Sequence, residues 1–349
     1  PTDEIIQRFT AYGSGNLFHV VNGLLNTADV ILPKILEDTK NEHYDYLISD
    51  SMFSFGNLIA QKLHIPTISS ITSFAHTAET FEAALNYNAQ ALSETEMNDV
   101  EDTFDHLQQH IQTTYGVEVN SRYETMNNPG DFNIAYILEK FQINPELFDS
   151  AHYRFVGPSV MQPQSTDFMS QVDQSRPIVY VSLGTVFNQN IGFFNQCFAA
   201  LKDLDVSVIV SIGEANNAAD FDTIPDNVLL KSYVPQTELL QHTALFLTHA
   251  GMNSTNEALL MDVPLLAFPQ NADQPLVAQQ IENINVGQQL NSETVTTEDL
   301  KAKVVEMLQN RATYQAQIKK IKQTQALDQP GYVTAVDQIL TFRDHHINH

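Results

Sequence analysis

The stretch LFLTHAGMNSTNEALL, residues 245–260, carries the densest set of groups that could do chemistry. Its spacing predicts an apolar strand ending at Thr248, a small loop His249-Ala250-Gly251, and a helix capped by Asn253, Ser254 and Thr255. Backbone N–H groups and the positive end of the helix then point at one spot, beside imidazole, amide and hydroxyl donors. Such a spot binds phosphate without a lysine. Glu257, one turn further on, can accept hydrogen bonds from a ribose diol next to that phosphate. The same spacing also fits a plain N-capped helix with an incidental histidine.

Two more loops share this character. Ser182-Leu183-Gly184-Thr185 follows the apolar run IVYVS, and its glycine permits close backbone approach while its hydroxyls can donate to phosphate. Pro269-Gln270-Asn271-Ala272-Asp273-Gln274 follows VPLLAF and offers a carboxylate and amides suited to sugar hydroxyls. Taken singly, the first fits a capped helix and the second an ordinary polar turn. In an open α/β sheet, however, all three loops emerge at the carboxyl edge of parallel strands, where ligands bind.

The elements that must hold these loops are legible as short apolar strands, IVYVS, VSVIVSI, ALFLTH and VPLLAF, separated by helical stretches. They read as a doubly wound α/β domain. Ahead of it the polar, aperiodic stretch 160–177 reads as an interdomain linker. Earlier still, strands are expected at DYLISD (45–50), IPTISS (65–70), FNIAYI (132–137) and YRFVG (153–157), with helical patterns over 53–63 and 79–115. A chain of 349 residues exceeds what one core usually organises, so two domains are expected. The chain opens on Pro1 and enters a helical pattern at once, which raises the expectation of an upstream segment.

Composition excludes several classes. A net charge of -25 with 17 Lys plus Arg argues against nucleic-acid binding, which needs clustered cations. The same acidity means that an anionic ligand must be held by local backbone dipoles. No apolar run is long enough for a membrane span and the first residues do not form a signal peptide, so a cytoplasmic location is expected. The single cysteine, Cys197, rules out a disulfide framework, and its helical spacing with Phe194, Phe198 and Leu201 predicts a buried thiol. Gly13-Ser14-Gly15 with His19 reads as a simple turn, and His345, His346 and His349 as a polar tail.

Tyr233-Val234-Pro235-Gln236, then His249-Ala250-Gly251-Met252-Asn253-Ser254 with Glu257, then Asp273-Gln274, resembles the nucleotide-sugar signature of the UDP-glycosyltransferase family. The likeness is greatest to its bacterial macrolide and flavonoid branch. Ser182-Leu183-Gly184-Thr185 is similar to the family's loop at the start of the donor domain, and Phe155-Val156-Gly157-Pro158 to the segment before its linker. The resemblance implies the GT-B fold: two Rossmann-like, doubly wound α/β domains facing each other across a cleft. The domains would be 1–165 for the acceptor, 166–331 for the donor, and 332–349 as a last helix and tail returning to the first domain.

It also implies roles. His249, Gly251, Asn253, Ser254 and Thr185, with Ser182 and Gly184, would meet the diphosphate. Glu257 would hold the ribose, and Val234 and Gln236 would flank the uracil. Tyr233 stands where many relatives stack a tryptophan on the base. Asp273 and Gln274 would hold the sugar hydroxyls, the glutamine favouring glucose. Asp50 would orient a catalytic histidine whose strand and loop match no segment here and are expected upstream of residue 1. Phe74 and His76 would wall the acceptor side.

The implied reaction is inverting transfer of a hexose from a UDP-sugar to a hydroxyl of a small, partly apolar acceptor. The UDP-sugar is a co-substrate, and neither a cofactor nor a metal is required. An epimerase is disfavoured by the hexose loop. A non-catalytic nucleotide-sugar-binding or regulatory protein stays open as the alternative.

Overall fold

Short β-branched and aliphatic runs build two separate parallel sheets, one in each half of the chain. The structure, a computed structural model, describes residues 2–13, 15–161, 163–184, 189–221, 223–325 and 327–347. It divides into two compact units, Pro1–Tyr136 with Asn144–Val156 and Val333–His349, and Ile137–Ile143 with Gly157–Tyr332.

In the first unit β1 (Leu47–Asp50), β2 (Thr67–Ile71), β3 (Phe132–Ala135) and β4 (Tyr153–Phe155) lie in that order, all parallel. Parallel neighbours need crossovers, which the helix Gly56–Leu63 supplies between β1 and β2. The helices Ala78–Ala89, Glu94–Tyr115 and Arg122–Asn127 supply it between β2 and β3. The stretch expected to be helical over 79–115 is thus broken, because Ser93 starts a new helix with a capping box to Glu96. The last helix, Gly331–Ile347, packs Ala335 and Phe342 against Ile68, Phe132 and Ile134 of this sheet, with the Phe132 and Phe342 rings 5.7 Å apart.

The second unit holds β5 (Ile178–Ser182), β6 (Ser207–Ser211), β7 (Val228–Lys231), β8 (Thr243–Thr248), β9 (Leu265–Ala267) and β10 (Gly287–Gln289). Their order is β10-β9-β8-β5-β6-β7, all parallel. This is the doubly wound order, whose winding reverses between β5 and β8. Alternation sorts the faces. Val179, Val181, Leu245 and Leu247 join a core with Phe194, Cys197 and Phe198 of the helix Ile191–Leu201 and with Leu300 and Val304 of Thr297–Gln309. Tyr180 and Phe246 take the alternate positions and stack at 4.6 Å. Cys197 is fully buried and burial pushes its thiol well up, which makes it a packing residue.

Two sequence expectations differ from the structure. The units meet at residues 156/157, not 165/166, because the expected linker folds onto the second unit. Asp167–Gln171 makes a short 3-10 helix with Phe168 and Met169 buried. Thr166 donates its backbone N–H and hydroxyl to Glu238 at 2.9 and 2.6 Å, which holds that carboxyl below its usual range. The segment Ile137–Ile143, counted with the first domain, belongs to the second unit, where Gln280 Nε2 donates to the Phe141 carbonyl at 3.1 Å. Strands β7 and β10 are additions to the reading. Among the described residues no helix is long and apolar enough to cross a membrane.

Candidate functional site

The three chemistry-bearing loops leave the sheet side by side. Ser182 at the end of β5 is level with Thr248 at the end of β8, and Thr248 is level with Ala267 at the end of β9. Their loops therefore open at one carboxyl edge, on and beside the strand pair where the winding reverses. Thr185 lies outside the described residues.

His249 is held there by the absence of neighbours' side chains. A Cβ on Gly184 would lie 2.6 Å from His249 Nε2 and one on Gly251 would lie 2.4 Å from it, so both glycines border the imidazole directly. Gly184 also sits at φ 76°, where an L side chain is strained. Burial lowers the basicity of His249, while the Ser182 backbone and the Asp273 carboxylate oppose that shift. Nδ1 is buried without a well-formed hydrogen bond, so the Ser182 backbone acts as a polar neighbour only. The ring is then a neutral imidazole near neutral pH. Ala250, next in sequence, is buried at φ 63° with its N–H on Thr248 Oγ1 at 3.3 Å.

Gly251 is the N-cap of the helix Met252–Leu260 and makes no side-chain cap. This corrects the capping role expected for Asn253, Ser254 and Thr255, which lie inside the helix: a glycine at the cap has no oxygen to offer. Thr255 N–H already bonds the Gly251 carbonyl at 3.0 Å. The three N–H groups before it form the positive end of the helix without side-chain capping. Asn253 is exposed and Ser254 half-buried beside them.

Around this end lies a relay. Gln236, first residue of the short helix Gln236–Leu240, donates Nε2 to Glu257 Oε2 at 2.6 Å and to Ser254 Oγ at 3.2 Å. Its Oε1 accepts from the hydroxyl of Tyr180 at 2.8 Å. Burial raises the Glu257 carboxyl and the Gln236 amide partly offsets that rise. Val234 is buried, whereas Tyr233 is 75% exposed and presents a ring free for stacking. In the loop after β9, Asp273 precedes the helix Gln274–Asn283. Gln274 is buried, and its Oε1 accepts from the backbone N–H of Gln270 and Asn271 at 2.9 and 3.2 Å, so only its Nε2 is left to meet a ligand. Gln270 Nε2 is buried without a partner and adds a donor that the sequence reading did not assign.

The first unit places the remaining candidates. Asp50 ends β1, exposed, and its Oδ1 accepts from Met52 N–H at 2.8 Å. Among the described residues no histidine bonds to it. Phe74 is buried, and His76 is half-buried with its basicity lowered by burial. Both line a cavity of ≈ 10 Å³, room for about one water molecule.

The family model described as Erythromycin biosynthesis protein CIII-like, C-terminal domain, matches residues 195–340. The uncharacterized UDP-glucosyltransferase YojK of Bacillus subtilis (strain 168) is 33% identical over 296 residues, 84% of this chain and 72% of that protein. The chain belongs to the UDP-glycosyltransferase family. A second relative in this family, the uncharacterized UDP-glucosyltransferase YdhE of the same organism, is 31% identical over 330 residues, 91% of this chain and 82% of that protein. The solved structure of CalG4, the calicheamicin glycosyltransferase, superposes with a TM-score of 0.79 over 93% of this chain and 80% of that one, at 22% identity. The two Rossmann-like sheets are thus those of a GT-B glycosyltransferase, and a family member of this kind is a glycosyl-transferring enzyme. The relatives are named as transferases, which leaves the non-catalytic alternative without support.

Proposed function

We propose that this glycosyltransferase moves a hexose, glucose being the best fit, from UDP to a hydroxyl of a small, partly apolar acceptor with inversion. The observation that carries the reading is the convergence on one sheet edge of the uncapped helix end after Gly251, the His249 imidazole and the Gln236–Glu257 pair. Helix dipole and neutral donors meet the charge that grows on the departing diphosphate, so the step needs no metal or cofactor. Ser182, Gly184, Asn253 and Ser254 surround the phosphates, and Thr185 keeps the phosphate role that the resemblance implies. Glu257 accepts from the ribose, Val234, Gln236 and Tyr233 frame the base, and Asp273 and Gln274 hold the sugar. A histidine oriented by Asp50 removes the proton from the acceptor hydroxyl as that oxygen attacks the anomeric carbon.

Calorimetry with UDP and with inorganic diphosphate tests the division of roles. His249→Ala should weaken both ligands by about tenfold or more, since a hydrogen bond to a charged group is worth roughly 1.5–3 kcal/mol. Glu257→Ala should weaken UDP to a similar extent and spare diphosphate. Equal losses for diphosphate in the two variants sink the assignment, and tighter binding of dTDP than of UDP moves the donor class.

A further inference from the structure

We infer that Tyr180 is a positioning residue for donor recognition: through its hydroxyl it fixes the Gln236 amide, which in turn presents the Glu257 carboxylate to the nucleotide. The inference rests on the donor-site reading above. Tyr180 lies in the central strand β5 among Val179 and Val181, fully buried, with its ring almost flat on Phe246 at an interplanar angle of 11°. The stack leaves the ring one place to be, so the hydroxyl is a fixed point at the sheet edge. Burial pushes that hydroxyl strongly up, so it remains a proton donor throughout the physiological range. The Ser182 and Ser211 hydroxyls also approach it, yet Gln236 Oε1 is the partner that meets it with full bond geometry.

A primary amide has two ends that can exchange. With Oε1 held by Tyr180, Nε2 must face Glu257 Oε2 and Ser254 Oγ. The opposite flip would set two acceptors, amide oxygen and carboxylate, against each other. Glu257 is half-buried with its carboxyl raised by that burial, and the Gln236 N–H is the group that favours its ionised form. Tyr180 therefore acts on the ribose ligand at second hand, without touching the nucleotide. The titratable neighbours of this relay are Glu257, Tyr180 itself and, acting on Tyr180, Tyr233.

Tyr180→Phe keeps the ring stack and removes only the hydroxyl. In calorimetry it should weaken UDP about fivefold, the effect of one neutral hydrogen bond, and leave inorganic diphosphate within about twofold. The ratio of variant to parent Kd for UDP, in which ionisation of the ligand cancels, should grow as pH falls from about 8 to 5. A carboxylate acceptor works above its pKa and is lost as pH falls through it, and the variant's Glu257 loses it at the higher pH. In a Gln236→Leu background, Tyr180→Phe should have no further effect on UDP. Should Tyr180→Phe not fold, Gln236→Leu alone must show the same growth of the ratio at low pH. Equal weakening of UDP and diphosphate, a ratio that is flat with pH, or additive effects in the double variant would overturn the proposal. Failure of the parent protein to bind UDP at all would overturn the donor-site reading instead.

Discussion

Gly184→Ala is expected to lower affinity for UDP on the order of a hundredfold. Two costs fall at this position, one on folding and one on binding. The residue sits at φ 76°, where an L side chain costs about 1–2 kcal/mol. The new Cβ would also stand 2.6 Å from His249 Nε2 and Cε1, displacing the ring from the place where it can donate to phosphate. The ring cannot simply retreat, because Gly251 borders it as closely. Inorganic diphosphate should weaken in parallel with UDP, since the damage falls on the phosphate end. Calorimetry with both ligands, on protein whose circular dichroism matches the parent, reads the effect. A variant that binds within threefold of the parent would show that His249 is not a phosphate ligand.

The second large effect is on turnover. In protein that carries the histidine Asp50 is proposed to orient, Asp50→Asn should reduce transfer by about 10²- to 10⁴-fold, the usual worth of general-base catalysis, while UDP affinity stays unchanged. The substitution is a clean probe here. Asp50 Oδ1 accepts from Met52 N–H at 2.8 Å, and an asparagine carbonyl can accept the same bond, so the turn after β1 is kept. What is lost is the negative charge that would stabilise an imidazolium. Release of UDP from UDP-glucose in the presence of a panel of phenolic acceptors measures the change. Turnover within a few-fold of the parent would reduce Asp50 to a turn-forming residue.

The parts of this fold that sequence reveals are those buried on both sides. IVYVS, VSVIV, ALFLT and LLA are continuous apolar runs because β5, β6, β8 and β9 lie inside the sheet with every residue, or nearly every one, out of water. At the edges the rule weakens. VLLK in β7 is apolar but only half-buried and too short to show a period, and GQQ in β10 is mostly polar, so neither reads as a strand. The linker reading failed for a related reason: Phe168 and Met169 are too few to make a pattern, and the Thr166–Glu238 bonds that seat the segment join residues 72 apart. In the site, the His249 loop was legible because strand end, loop and helix start are contiguous. The cap was misassigned because Asn and Ser favour capping in general, whereas here Gly251 occupies the capping position. The Tyr180–Gln236–Glu257 relay spans separations of 56 and 21 residues, and the one hint of it was a lone phenol in an otherwise aliphatic strand.

The helix that begins after Gly251 lacks a side chain to close its first turn, and this ties the durability of the protein to its substrate. The backbone donor that a serine or aspartate at the cap would ordinarily satisfy is instead left, with its neighbours, for the diphosphate of the proposed donor. Whatever binds only the folded chain stabilises it by RT ln(1 + [L]/Kd), about 2.7 kcal/mol at a hundredfold excess over Kd. For a unit of this size that corresponds to a rise in melting temperature of roughly 5–10 °C. Proteases act on opened chains, and the population of those chains falls about a hundredfold for the same free energy. A cell rich in the nucleotide sugar would therefore keep its transferase longer, and one depleted of it would lose catalyst along with substrate.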